Sequence, residues 1–284
     1  AFSSLLGNVE GQNIYRIWYD KPASYWEEAL PVGNGRIAAM VFGDPQLEQI
    51  QLNEETVSAG SPYQNYNEEA KTALPEMRRL IFEGKYEEAQ NMAATKILSQ
   101  VGNEMPYQTV GRLNIRYQDH KKVNNYYRDL DISNAVAVTR YEVDGVEFTE
   151  ETFASFTDQL VIRHIKASKP GTINCELFFN TPMRDPKRSI YGKKGLRLEG
   201  ITHGSRYFPG KVHYCADLDV KHKGGKVITA NDTLLSVQGA SELTLYISMA
   251  TNFVNYKDIS GDPYQRNKAS VSYTHLTLPT NREV

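Results

Sequence analysis

In short runs spread along this chain apolar and polar residues alternate with a period near two. Such runs occupy residues 35–42, 47–52, 110–117, 135–143, 146–155, 160–167, 173–180, 211–221 and 242–251. Side chains on a strand point alternately to its two faces, so each run reads as a half-buried β-strand. Asp144-Gly145 between two of them is a hairpin signal, because a type I′ turn needs positive φ at its centre. Many strands at this spacing, without helices alternating between them, predict a mainly β chain folded as a large antiparallel sandwich.

One interval changes period. Between Asn67 and Ser99 the apolar residues Ala70, Leu74, Met77, Leu80 and Ile81, then Tyr86, Ala89, Met92, Ala93 and Ile97, recur at helical spacing. Gly84 stands where one helix would end and the next begin, and Asn67, followed by Glu68 and Glu69, suits a helix start. The interval therefore predicts an αα-hairpin over about residues 67–100, inserted between strands and laying an apolar face on the sandwich. Pro75, in the second turn, predicts a local distortion.

Composition narrows the partners. The net charge of −2 over 284 residues offers no basic field for nucleic acid or anionic membrane, and no apolar run approaches the roughly 20 residues of a membrane span. Eighteen Tyr and two Trp suit strands and equally suit sugar-stacking surfaces. Cys175 and Cys215 are open to pairing in an exported protein, but two thiols far apart in sequence do not establish a bond. Residues 1–13 begin with Ala1-Phe2-Ser3-Ser4-Leu5-Leu6-Gly7, which reads as the tail of a signal-peptide apolar region, with an ordinary leader as the alternative. The first reading implies a periplasmic or secreted protein. At the other end, residues 270–284 contain Val271-Ser272-Tyr273-Thr274-His275-Leu276-Thr277-Leu278-Pro279-Thr280, which resembles a translated sequencing adapter; the expectation is that the natural continuation is missing.

The search for chemistry returns little. His203, His213 and His222 lack the spacing of a metal motif. Asp158, Asp217 and Asp219 are scattered, and Lys221–Lys226 reads as a solvated turn. No nucleophile elbow, zinc-protease motif or phosphate loop occurs, so neither a metal nor a cofactor is expected. Glu54-Glu55, beside Asn53 and Thr56, is the tempting acid pair. Adjacent residues on a strand point to opposite faces, however, so the two would not address one bond together.

An ordered set of motifs carries a resemblance. Trp18-Tyr19-Asp20-Lys21-Pro22-Ala23 leads to Trp26-Glu27-Glu28-Ala29-Leu30-Pro31-Val32-Gly33-Asn34-Gly35-Arg36, then Ala39-Met40-Val41-Phe42-Gly43, Ile50-Gln51-Leu52-Asn53-Glu54-Glu55-Thr56, and Met105-Pro106-Tyr107-Gln108 through Gly111 and Leu113. This series is similar to the N-terminal region of glycoside hydrolase family 95, of α-L-fucosidase type, over about residues 14–268. Gly33 and Gly35 around Asn34 read as a tight turn with positive-φ sites. Trp18 and Trp26 read as large buried surfaces that pin the N-terminal segment. Two departures stand out: Ser58 where relatives carry Trp, and Arg112 where an acidic residue commonly follows Gly111.

The resemblance implies an inverting glycosidase whose acid, and whose water-holding Asp and Asn side chains, belong to a helical α/α barrel following the sandwich. No position here matches them, so no catalytic residue is carried over and the barrel is expected to be absent. Asn53, Glu54, Glu55, Thr56 and Tyr63 are then candidates for contact with that barrel or with substrate, and Trp18, Trp26, Gly33, Asn34, Gly35 and Arg36 for the structural framework. The expected partners are the chain's own missing barrel and, through it, a glycan. The alternative is a sandwich that binds carbohydrate, or only scaffolds, without hydrolase activity.

Overall fold

The computed structural model describes residues 15–99, 105–204 and 208–276, with side chains up to residue 270. The leader assigned to residues 1–13 and the last eight residues of the tail lie outside the described residues.

Among the described residues the nine alternating runs form strands, and seven further strands stand among them. In chain order they are β1 (Arg16–Tyr19), β2 (Leu30–Gly33), β3 (Ile37–Val41), β4 (Leu47–Glu54), β5 (Gly111–Tyr117), β6 (Asn124–Asp131), β7 (Val136–Val143), β8 (Val146–Ser155), β9 (Leu160–Ala167), β10 (Ile173–Asn180), β11 (Arg184–Tyr191), β12 (Gly195–Ile201), β13 (His213–Lys223), β14 (Lys226–Asn231), β15 (Leu234–Ala240) and β16 (Glu242–Thr251). They make a nine-stranded sheet, β1-β6-β7-β8-β9-β16-β13-β12-β11, and a seven-stranded sheet, β14-β15-β10-β5-β4-β3-β2. Neighbouring strands run antiparallel in both sheets. The sandwich read from the alternation is present.

The core lies between the sheets. Ile50 and Leu52 of β4, Leu113 and Ile115 of β5 and Leu177 of β10 face Val161 and Ile165 of β9 and Leu243, Leu245 and Ile247 of β16, all buried in one cluster. Fully burying such a side chain stabilises the fold by about 1.5–3 kcal/mol. Asp144 and Gly145 both have positive φ, 49° and 75°, between paired Val143 and Val146, as the hairpin signal requires.

The helical interval forms α1 (Ala70–Phe82) and α2 (Tyr86–Met92), followed by a π-helical turn, Ala93–Ile97. Gly84 separates the helices at φ 74°. Asn67 accepts from the Glu69 N–H at 3.0 Å and donates to Thr95 O at 3.2 Å, tying the two ends of the hairpin together. The helix continues through Pro75. One expectation needs correction. The hairpin packs chiefly on itself, its contact with the strands being marginal. Leu80 and Ala89 are its buried apolar residues, while Phe82 is 88% and Tyr86 69% exposed.

Two more readings change, and one left open receives an answer. Trp18 and Trp26 are 61% and 50% exposed, not buried. β1 is an edge strand, where Trp18 stacks on Tyr127 at 6.3 Å, and Trp26 sits in a 3-10 turn without a buried face. Arginines pin the segment instead: Arg16 pairs with Asp129 at 2.8 Å, and buried Arg128 donates to Lys21 O and Glu28 O, each at 2.8 Å. Cys175 and Cys215 are free and buried, the first in the inter-sheet core. Finally, α3 (Pro263–Leu276) is a helix the periodicity does not announce. Asp262 Oδ1 caps it by accepting from Tyr264 N and Gln265 N. It packs on β13 and β16, where Asn267 donates to Cys215 O at 3.0 Å. The adapter-like stretch therefore begins inside a helix, which extends at little cost once its first turn has formed.

Candidate functional site

β4 alternates strictly, so Glu48, Ile50, Leu52 and Glu54 all point inward. The strand thus carries one carboxylate into the interior at each end.

At the far end, Glu54 is 4% exposed and both its oxygens are bonded. Oε1 pairs with Arg36 Nη1 at 3.3 Å; Oε2 accepts from Thr56 N at 2.8 Å and Thr56 Oγ1 at 2.6 Å. Burial pushes the Glu54 carboxyl above its ordinary value, against the pull of the Thr56 bonds and the Arg36 charge. Arg36 is delivered by the β2–β3 turn. Gly35 adopts φ 92°, and Asn34 Oδ1 accepts from Arg36 N and Ile37 N. Gly33 does not take positive φ, contrary to expectation. It ends β2 where a Cβ would stand 3.2 Å from Ile37 O, a tight contact.

From the turn, the Arg36 guanidinium crosses between the sheets. It donates to Gln159 Oε1 at 2.7 Å and Met249 O at 2.9 Å, while Asn34 Nδ2 donates to Ser155 O at 2.8 Å. Thr56 Oγ1 bonds to Thr251 Oγ1. The cluster is an inter-sheet clasp. Gln159, Met249 and Thr251 were not legible as partners, because each lies more than a hundred residues from Arg36.

The other candidates do not converge on Glu54. Glu55 is exposed beyond the strand end. Asn53, on the outer face, bonds to Tyr107, whose hydroxyl donates to Glu54 O at 3.0 Å. Tyr63 packs against Phe208, the rings tilted by 30° with centroids 4.1 Å apart. Inverting hydrolysis needs an acid and a base about 6.5–9.5 Å apart, both addressing one bond. Glu54 is spent on the clasp, so it and Glu55 do not make that pair.

At the near end of β4, Glu48 meets fully buried Arg163 at 2.8 Å, and Arg163 also pairs with Glu150. Glu150 Oε1 accepts from Tyr117 at 2.6 Å and Tyr141 at 2.7 Å. Two carboxylates share one cation. Burial pushes Glu48 up to about 7, even though Arg163 opposes it. Among the described residues no group of three or more His, Cys, Asp and Glu could hold a metal ion, and no helix is long and apolar enough to cross a membrane.

Residues 17–256 match the family described as glycosyl hydrolase family 65, N-terminal domain, and the chain belongs to that family. Within it, this is an N-terminal glycoside hydrolase domain related to those of α-L-fucosidases. It is 31% identical over 271 residues to "Alpha-L-fucosidase 2" of Arabidopsis thaliana, covering 86% of this chain and 31% of that protein. It is 26% identical over 253 residues to "Probable alpha-fucosidase A" of Aspergillus niger, covering 84% and 30%. With the protein of the same name from Aspergillus oryzae the identity is 22% over 273 residues, covering 92% and 36%. The chain thus spans about a third of the length of the curated relatives it matches.

Proposed function

We propose that this domain is the non-catalytic N-terminal sandwich of a family 95 glycoside hydrolase that removes α-L-fucosyl groups from glycans with inversion. In this reading the catalytic barrel follows the sandwich, and the protein is exported, periplasmic or secreted. One observation carries the proposal: the likeness to an α-L-fucosidase runs along 86% of this chain yet takes up 31% of that protein. The geometry supports the same division of labour. The inward carboxylates of β4 are committed to Arg36 and Arg163 and hold the two sheets together.

The test joins the chain to the downstream region encoded by its own gene and assays an aryl α-L-fucoside. The joined protein is expected to hydrolyse it and release β-L-fucose first, as inversion demands. A joined, folded protein that cleaves other glycosides but not the fucoside would overturn the substrate assignment. Release of the α-anomer would overturn the stereochemistry.

A further inference from the structure

At the start of β4, away from the clasp, an open cleft of about 590 Å³ is lined by Tyr25, Trp26, Phe42, Asp44, Gln49 and Arg112. Its size falls in the range of small-ligand sites. We propose that this cleft is a binding site for a neutral oligosaccharide, with a sugar ring against Trp26 and its hydroxyls bonded to Asp44, Gln49 and Arg112.

The aromatic wall is held in place without being buried. Trp26 and Tyr25 remain half exposed or more, on a loop that buried Arg128 grips at both ends through Lys21 O and Glu28 O. Ala23 N donates to Phe42 O at 2.9 Å, and Ser24 N to Glu28 Oε2 at 2.8 Å. Exposed aromatics on a fixed loop lose little conformational freedom when a ligand covers them.

The polar wall is equally fixed. Arg112 Nη1 donates to Gln49 Oε1 at 2.6 Å, and its guanidinium lies 5.7 Å from the centre of the nearly buried Phe42 ring. Asp44 Oδ1 closes its own turn by accepting from Gln46 N and Leu47 N, while Oδ2 takes no partner among the described residues. Lys21 also lines the cleft, so two cations stand with one carboxylate. Fixed donors and an acceptor beside an aromatic face match the needs of a sugar, whose C–H face is apolar and whose edge carries vicinal hydroxyls. The sequence signal was Arg112 itself, a charged residue on the outer face of β5 next to Gln49.

The site lies at the opposite end of β4 from the clasp, so its test is separate from any assay of hydrolysis. The chain has two tryptophans, and Trp18→Phe leaves Trp26 as the sole indole reporter. Fluorescence of that variant is titrated with lactose, cellotetraose and methyl α-L-fucoside, and with tetragalacturonate as an acidic probe. A saturable change with a neutral probe is expected. Arg112→Gln and Asp44→Asn should each weaken it on the order of tenfold. The binding should also disappear in Trp26→Ala, followed by calorimetry because the reporter is gone. No saturable response to any neutral probe, a response to tetragalacturonate alone, or binding that survives Trp26→Ala would each overturn the proposal. Because Trp26 and Arg112 are partly exposed, thermal melts will show that these variants remain folded.

Discussion

β4 and the helical hairpin that follows it are adjacent in the chain but held in opposite ways. β4 directs Glu48 and Glu54 into the sandwich, where Arg163 from distant β9 and Arg36 from the nearby β2–β3 turn pair with them. The hairpin satisfies its own backbone, packs on itself and leaves Phe82 and Tyr86 exposed. Strand pairing and buried charge make β4 depend on the whole fold, because a carboxylate removed from water must find a cation. The hairpin depends on helix propensity, its Gly84 turn and the Asn67 bridge. Stability should therefore respond steeply to changes around β4 and weakly to changes on the hairpin surface.

The largest effect is expected from Arg163→Met, which leaves Glu48 and Glu150 together in the core without their cation. Urea denaturation should show a loss of about 3–5 kcal/mol, and a loss below about 1 kcal/mol would mean the triad does not anchor β4. Arg36→Met comes next. It removes the links to Glu54, Gln159 and Met249 O at a partly exposed site, and should cost roughly 2 kcal/mol. Adding Glu54→Gln should then cost much less than it does alone, and full additivity of the two would argue against a shared clasp.

A third comparison uses pH. The Glu48 carboxyl is held at about 7 in the fold, against about 4.5 when unperturbed. The folded state therefore keeps a proton that the unfolded chain has released. This contribution is complete below about 4.5 and is lost as pH rises through about 7. Buried His120, pushed below its ordinary value by desolvation, acts in the opposite sense, losing stability as pH falls. Comparison with Glu48→Gln isolates the first effect. The stability of the native chain relative to the variant should decline from pH 4.5 to 7.5, and a flat difference would contradict the assignment. The smallest effect is expected on the hairpin. Phe82→Ser with Tyr86→Ser should change stability by less than about 0.5 kcal/mol, while lowering self-association in sedimentation, since exposed apolar patches promote contact.

The parts of the fold legible in the sequence are those that local periodicity determines. The alternation marks nine of the sixteen strands among the described residues, missing β1, β2, β6, β11, β12, β14 and β15, while Asp144-Gly145 marks its hairpin and Gly84 the break between α1 and α2. Helix α3 escaped because its apolar spacing is weak, although Asp262 before Pro263 was a readable N-cap and first-position pair. The burial of Trp18 and Trp26 was misread because residue type does not reveal that β1 lies at an edge. The separation of Glu54 from Glu55 was expected from strand alternation, but the structure achieves it by ending β4 at Glu54 and leaving Glu55 exposed in the turn. The clasp partners Gln159 and Thr251 were not legible, because they meet Arg36 and Thr56 only once two sheets assembled from distant segments are stacked.

The central claim is that this domain scaffolds a glycosidase without performing its chemistry, and the most direct measurement is turnover of an aryl α-L-fucoside by the chain alone. The account predicts no release above background, and no difference between the native chain and its Glu54→Gln and Glu55→Gln variants. Turnover that tracks the folded protein and disappears in either variant would place a catalytic carboxylate at the end of β4 or in the turn after it and contradict the account.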